Sequence, residues 1–230
     1  MEDEDEEEEV CKIVLLGESG VGKTCIISRF INNTFEEGLM STNGASYASK
    51  SCIFPEYENR TIKFEIWDTA GQEKYRALNQ IFYKDASICI LVYDITSEAS
   101  FKALQDYWFQ QVKDSAPKNI VLGLAGNKCD LIEKEQVPEE KARNLAKEMN
   151  AIFETTSAAK NIGVDLLFHN LGCKYIDPNF KTEESLTSEA KPQINNENKQ
   201  DNNKSNKNKK IKLDDKKHTQ QNNTKKKKCC

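Results

Sequence analysis

Gly17-Glu18-Ser19-Gly20-Val21-Gly22-Lys23-Thr24 has the spacing G-x-x-x-x-G-K-[ST] and directly follows the apolar run Cys11-Lys12-Ile13-Val14-Leu15-Leu16. Glycines at both ends let the backbone curl so that successive N–H groups converge on phosphate oxygens. Lys23 then supplies a point charge and the Thr24 hydroxyl a ligand for Mg²⁺. The loop opens a helix, Lys23-Thr24-Cys25-Ile26-Ile27-Ser28-Arg29-Phe30-Ile31, whose N-terminal dipole also favours anions. A Gly-rich turn that binds nothing is the plain alternative. The strand before the loop and the helix after it favour phosphate.

Two further stretches narrow the chemistry. Asn127-Lys128-Cys129-Asp130 follows the apolar Ile120-Val121-Leu122-Gly123-Leu124-Ala125, where a buried strand should end. A carboxylate there accepts two hydrogen bonds from guanine N1–H and N2–H₂, a donor pair that adenine lacks, and the wrong base would leave a buried charge unpaired. Four residues alone could equally be a solvated loop; their place after a strand in a phosphate-loop chain points to the base. Between these motifs lies Phe64-Glu65-Ile66-Trp67-Asp68-Thr69-Ala70-Gly71-Gln72-Glu73. Asp68 ends a strand and can hold Mg²⁺ through water, Gly71 can bring a backbone N–H to a γ-phosphate, and Gln72 can orient an attacking water.

The elements that must position these groups follow from the apolar pattern. Runs at 11–16, 62–67, 87–93, 120–125 and 151–154 predict strands, most buried on both faces. Segments 100–114, 138–149 and 163–175 predict helices, Pro138 suiting a first turn. Phe101, Leu104, Trp108 and Val112 recur at helical spacing and read as core. Strands alternating with helices give a mostly parallel, three-layer α/β sheet with ligands at the carboxyl ends of the strands. No internal repeat is evident, and His169 and His218 are assigned no chemistry.

Residues 2 to 9 are all acidic, and from about Pro178 the chain is rich in Lys and Asn and poor in large apolar residues. Such stretches cannot bury enough surface to offset ordering entropy. The expected organisation is a disordered head over 1–10, one folded domain over 11–177 and a disordered tail over 178–230. The net charge of −4 hides an asymmetry, because residues 199 to 228 hold twelve Lys against three Asp. No aromatic residue is interleaved there for base stacking and the tail ends in two cysteines, which favours an anionic membrane over nucleic acid. The other six cysteines lack C-x-x-C spacing and read as small residues in a reducing cytosol. The acidic N-terminus is unlike a secretory leader, Glu2 excludes N-myristoylation, and no apolar run is long enough to span a bilayer.

With these motifs in this order, the chain resembles the Ras superfamily of small GTPases and, within it, the Rab family. The resemblance runs from about Cys11 to about Tyr175 and resumes at the last two residues. It also includes Ser41-Thr42 with Gly44, Leu91-Val92-Tyr93-Asp94-Ile95-Thr96, and Thr155-Thr156-Ser157-Ala158. It implies a P-loop GTPase fold with a six-stranded, mostly parallel sheet flanked by helices, GTP/GDP and Mg²⁺ as cofactors, and GTP hydrolysis as the reaction. The nucleotide set becomes Ser19, Gly20, Val21, Gly22, Lys23, Thr24 and Cys25 on the phosphates, with Phe35 stacked on guanine. Thr42 senses the γ-phosphate through Mg²⁺ beside Gly71, and Asn127, Lys128, Asp130, Ser157, Ala158 and Ala159 surround the base. Thr24, Thr42 and Asp68 form the metal set and Gln72 is the catalytic residue.

The same resemblance implies an exchange factor, a GTPase-activating protein, a GDP-dissociation inhibitor or escort protein, and effectors, around a monomeric core. No nucleic-acid partner is expected. Cys229 and Cys230 would carry two prenyl groups, placing the protein on the cytoplasmic face of endosomal or other vesicular membranes, with a cytosolic pool. The effector surface would include Asn43, Tyr47, Trp67 and Phe82. Asn43 departs from the usual apolar residue, Tyr47 from Phe, Phe82-Tyr83-Lys84-Asp85 from Tyr-Tyr-Arg-Gly, and Ala159 from Lys. The stretch from Tyr47 to Trp67 is about three residues longer than a Rab's, with Pro55-Glu56-Tyr57-Glu58-Asn59-Arg60 as a lengthened hairpin turn. A GTP-bound scaffold with negligible turnover, or a Ras/Rho-like signalling GTPase, are the alternatives; the second usually ends in C-a-a-X, and this chain does not.

Overall fold

The computed structural model describes residues 8–38, 42, 45–69 and 84–182. Its centre is a six-stranded sheet in the order β2-β3-β1-β4-β5-β6. The strands are β1 (Glu9–Leu16), β2 (Ala45–Phe54), β3 (Arg60–Thr69), β4 (Ile88–Asp94), β5 (Val121–Asn127) and β6 (Ile152–Thr156). Only β2 runs antiparallel, paired to β3. The helices are α1 (Lys23–Asn32), α2 (Glu98–Ala103), α3 (Phe109–Ser115), α4 (Glu139–Met149) and α5 (Val164–Ile176), with one π turn, Leu104–Trp108, joining α2 to α3.

Strand alternation divides the core into two layers. Cys11, Ile13 and Leu15 of β1 face Ile26, Ile27 and Phe30 of α1 and Leu167, Phe168 and Leu171 of α5. Val14 and Leu16 of the same strand face Phe101, Leu104, Trp108 and Val112, together with Ala142 and Leu145 of α4. A strand covered on both sides reads as a near-continuous apolar run, and all seven residues of β4 are buried, with only the terminal Asp94 charged. The edge strand β2 exposes Ser46, Tyr47, Ser49, Ser51 and Ile53 and therefore shows no apolar run.

Described structure extends a few residues to either side of 11–177. β1 begins inside the acidic head: Glu9 pairs with Ile62 of β3, and its carboxylate receives Arg60 at 2.7 and 2.9 Å. At the other end, Phe180 packs against the core and Lys174 Nζ donates to the carbonyls of Pro178 (2.6 Å) and Phe180 (3.1 Å). The backbone pairing and the apolar contact supply what composition alone did not show. The hairpin turn between β2 and β3 is a 3₁₀ turn, Pro55–Tyr57, followed by Glu58 and Asn59 at φ 57° and 59°. It lies against α5, where Gly172 makes room for Phe54: a Cβ on Gly172 would sit 2.2 Å from the Phe54 ring. No helix among the described residues is long and apolar enough to cross a membrane.

Candidate nucleotide site

The strand order reverses at β1, whose neighbours are β3 and β4, so the loops leaving these strands diverge and leave a crevice at their carboxyl ends. A cavity of about 600 Å³ occupies that crevice, lined in part by Ser19, Gly20, Gly22, Lys23, Thr24 and Cys25. The phosphate-type loop requires its glycines. Gly17, Gly20 and Gly22 have φ of 146°, 78° and 97°, and a Cβ on Gly22 would lie 2.3 Å from Asn127 Nδ2. Lys23 folds back along the loop, its Nζ donating to the Gly17 and Glu18 carbonyls at 2.8 and 3.0 Å. Burial pushes this ammonium down to about 8 against the opposing pull of Asp68 and Glu18. Val21 turns its side chain into the core, and its carbonyl accepts from Asn127 Nδ2 at 2.8 Å.

Three oxygens gather beside Lys23. Thr24 Oγ1 donates to Asp68 Oδ2 at 2.6 Å, Thr42 Oγ1 lies 2.7 Å from Thr24 Oγ1, and Thr42 Oγ1 is 3.3 Å from the same carboxylate oxygen. Asp68 Oδ1 is buried without a hydrogen-bond partner among the described residues. Burial raises the Asp68 carboxyl, while the Thr24 hydroxyl and Lys23 oppose that shift. Adjacent ligands of an octahedral Mg²⁺ at 2.0–2.1 Å stand about 2.9 Å apart, so the two hydroxyls, 2.7 Å from each other, have the spacing of a Mg²⁺ cradle, with the Asp68 carboxylate beside them to hold the ion through water.

The other end of the cavity is organised by side chains from β5 and the loop after β6. Asn127, 2% exposed, joins three segments, since its amide donates to Val21 and its Oδ1 accepts from Thr156 Oγ1 at 3.2 Å. Lys128 Nζ pairs with Asp94 Oδ2 at 2.7 Å. Asp130 Oδ1 accepts from Ser157 Oγ at 2.6 Å, and that hydroxyl in turn accepts from the Lys160 backbone N–H at 3.0 Å. Phe35, Lys128, Asp130, Ala158 and Ala159 also line the cavity. A carboxylate, a lysine, an aromatic ring and backbone amides around one volume make a recess for a flat, polar ring.

A family model described as the Ras family matches residues 12–177. The chain is 43% identical over 157 residues to Ras-related protein Rab-22A of Homo sapiens, covering 68% of this chain and 79% of that one. The chain is a Rab-family small GTPase. It is also 42% identical over 160 residues to Ras-related protein Rab5A of Oryza sativa subsp. japonica (70% and 77% covered) and 39% identical over 160 residues to Ras-related protein Rab-31 of Homo sapiens (70% and 80%). GTP binding and GTP hydrolysis belong to the GTPase as a member of this family.

Of the effector residues expected in this GTPase, Tyr47 and Trp67 stand together, ring centroids 5.5 Å apart in an edge-on pair, with Tyr47 half exposed. Asn43, Gly71, Gln72, Phe82, Cys229 and Cys230 lie outside the described residues. Sequence reasoning missed several supports of the site. Arg29 Nε donates to the Ala158 carbonyl at 2.8 Å, bracing the loop after β6 from α1. Trp108, assigned only to the core, is fully buried and also donates from Nε1 to Glu18 of the glycine-rich loop at 2.9 Å. Lys160 lines the cavity beside Ala159.

A second cluster lies elsewhere, between the hairpin turn and α5. Glu56 Oε1 is 2.8 Å from His169 Nε2 and accepts from Cys173 Sγ at 3.1 Å. Burial and the facing Glu56 push the Cys173 thiol up to about 12; the Glu56 carboxyl is lowered by its own backbone N–H, then by Cys173.

Proposed function

We propose that this GTPase is a membrane-traffic switch that hydrolyses GTP slowly on its own and recruits effectors only in the GTP-bound state. The observation that carries this reading is the Thr24–Thr42–Asp68 oxygen cluster beside Lys23, because it unites a hydroxyl of the phosphate loop, a hydroxyl of the loop before β2 and the end of β3 at one point. When bound, Mg²⁺ would neutralise charge between phosphate oxygens, and Thr24, Thr42 and Asp68 are the residues that would hold it. Thr42 then reports the γ-phosphate: its loop is drawn in while the triphosphate persists and released after hydrolysis. Ser19 to Cys25 would receive the phosphates, Gly71 would approach the γ-phosphate and Gln72 would orient the attacking water. Asp130 would select guanine, with Ser157, Ala158 and Ala159 at its rim and Phe35 on its face.

Neither the phosphate loop (17–24) nor the loop before β2 (33–44) contains an arginine, which supports intrinsic turnover on the order of 10⁻⁴ s⁻¹, the scale known for Ras, and a GTPase-activating protein in trans. An exchange factor would release GDP, effectors would read the Tyr47–Trp67 face, and a dissociation inhibitor or escort protein would carry the lipidated chain. Two prenyl chains on Cys229 and Cys230, aided by Lys225 to Lys228, would hold it on endosomal or other vesicular membranes. Single-turnover hydrolysis with and without an activating protein tests the proposal. Gln72→Leu is expected to bind GTP normally and lose stimulated turnover. A wild-type chain that binds GTP but shows no hydrolysis under any activator would instead be the scaffold.

A further inference from the structure

The turn between β2 and β3 has a specific neighbour. Glu56 from that turn meets His169 and Cys173, which lie one helical turn apart on α5, and the three ligand atoms lie within 4.8 Å of one another. Their separations are 2.8 Å (Glu56 Oε1 to His169 Nε2), 3.1 Å (Glu56 Oε1 to Cys173 Sγ) and 3.5 Å (Cys173 Sγ to His169 Nε2). Around a tetrahedral Zn²⁺, with bonds near 2.0–2.2 Å to N and O and 2.3 Å to S, the corresponding edges are roughly 3.3, 3.5 and 3.5 Å. The sulfur-to-nitrogen edge already has that length, and the two edges to the carboxylate need to open by about half an ångström, within reach of an exposed glutamate on a turn.

The surroundings pre-orient the ligands. Phe54 stacks on the His169 ring with centroids 5.6 Å apart and planes at 21°, and it reaches that position because Gly172, beside Cys173, has no side chain. Glu56 follows Phe54 by two residues in the 3₁₀ turn, so the packing that seats Phe54 also aims the carboxylate. Cys173 is 1% exposed whereas Glu56 and His169 face solvent, giving a sulfur at the floor and two ligands at the mouth, where water would complete a tetrahedron. One nitrogen, one sulfur and one oxygen form a borderline-soft set that suits Zn²⁺ and not Mg²⁺.

We infer that Glu56, His169 and Cys173 form a Zn²⁺ site that staples the β2–β3 turn to α5. The staple would join residues 117 positions apart and lies outside the nucleotide cavity. Binding to the folded chain alone raises its unfolding temperature.

The test is a Co²⁺ and Zn²⁺ titration of the full-length chain, loaded with GDP and excess Mg²⁺ and carrying Cys229→Ser and Cys230→Ser so that the terminal thiols cannot bind. One equivalent of Co²⁺ is expected to give a thiolate-to-metal charge-transfer band with four-coordinate visible bands, and Zn²⁺ should abolish both. Zn²⁺ at about a hundredfold over its Kd should raise the unfolding midpoint by roughly 5–10 °C. Cys173→Ser should remove the charge-transfer band. His169→Gln and Glu56→Gln, both at exposed positions, should each weaken Zn²⁺ at least about tenfold, with retained GDP reporting that the variants are folded. Absence of the charge-transfer band, its persistence in Cys173→Ser, or unchanged affinity in folded His169→Gln would overturn the assignment.

Discussion

Replacing Asn127 with alanine tests whether one buried side chain holds the nucleotide loops together. The change removes two hydrogen bonds at once: the amide to the Val21 carbonyl (2.8 Å) and the acceptor for Thr156 Oγ1 (3.2 Å). Val21 is 2% exposed and Thr156 fully buried, so water cannot easily replace either partner. Each orphaned group costs about 1–3 kcal/mol, giving roughly 2–6 kcal/mol in total. For a domain of this size that predicts a drop of about 5–20 °C in the unfolding midpoint of the GDP-bound protein. If about 1.4 kcal/mol of the loss falls on the bound state of the phosphate loop, release of a fluorescent GDP analogue accelerates about tenfold. Thr156→Val removes the stranded hydroxyl, so the double variant Asn127→Ala/Thr156→Val should cost about 1 kcal/mol less than the sum of the single changes. A midpoint within about 2 °C of wild type, with an unchanged GDP release rate, would refute the reasoning.

Trp108→Phe keeps a buried ring but deletes the donor to Glu18, so GDP release measured by stopped-flow should quicken about 2–10-fold; an unchanged rate would mean that this bond does not hold the loop. Gly172→Ala would press a methyl group into the Phe54 ring, 2.2 Å away, and is expected to lower stability by about 1–3 kcal/mol in urea unfolding. Asp130→Asn should weaken GTP and favour xanthosine triphosphate, which has a carbonyl where guanine has an amino group; full GTP affinity by equilibrium binding would remove Asp130 from its role. Burial pushes the Cys11 thiol up to about 12 and Cys89 higher still, so both should stay unlabelled by a thiol reagent at pH 8 until the chain unfolds, as peptide mapping can determine.

The strands that are buried on both faces were legible because such strands carry near-continuous apolar runs, as β1, β4 and β5 do apart from Glu9 and Lys12 and the polar ends Asp94 and Asn127. β2 was not, since an edge strand with Ser49, Lys50 and Ser51 has no apolar run to read. The residues placed at the nucleotide cavity were legible through contiguous motifs. What was missed joins distant positions: Arg29 reaches Ala158 across 129 residues, Trp108 reaches Glu18 across 90, and Cys173 reaches Glu56 across 117. No local spacing records such meetings, which depend on which helix face turns toward which loop. The π turn at Leu104–Trp108 is a case in point, because the helical spacing of Phe101, Leu104 and Trp108 showed their burial but not that the indole N–H would point at the phosphate loop.

The parallel pairing sets Asp94 opposite Asn127 and Asn127 opposite Thr156, one rung across three strands. A strand that slipped by two residues would keep every apolar side chain on its proper face, so burial alone would discriminate poorly against the error. It would, however, carry Asn127 about 6.6 Å along the sheet, beyond the reach of Thr156 and of the glycine-rich loop. A nucleotide therefore acts as an inspector of assembly. Were it to bind only the chain whose strands are aligned, it would by mass action favour that register over any slipped one.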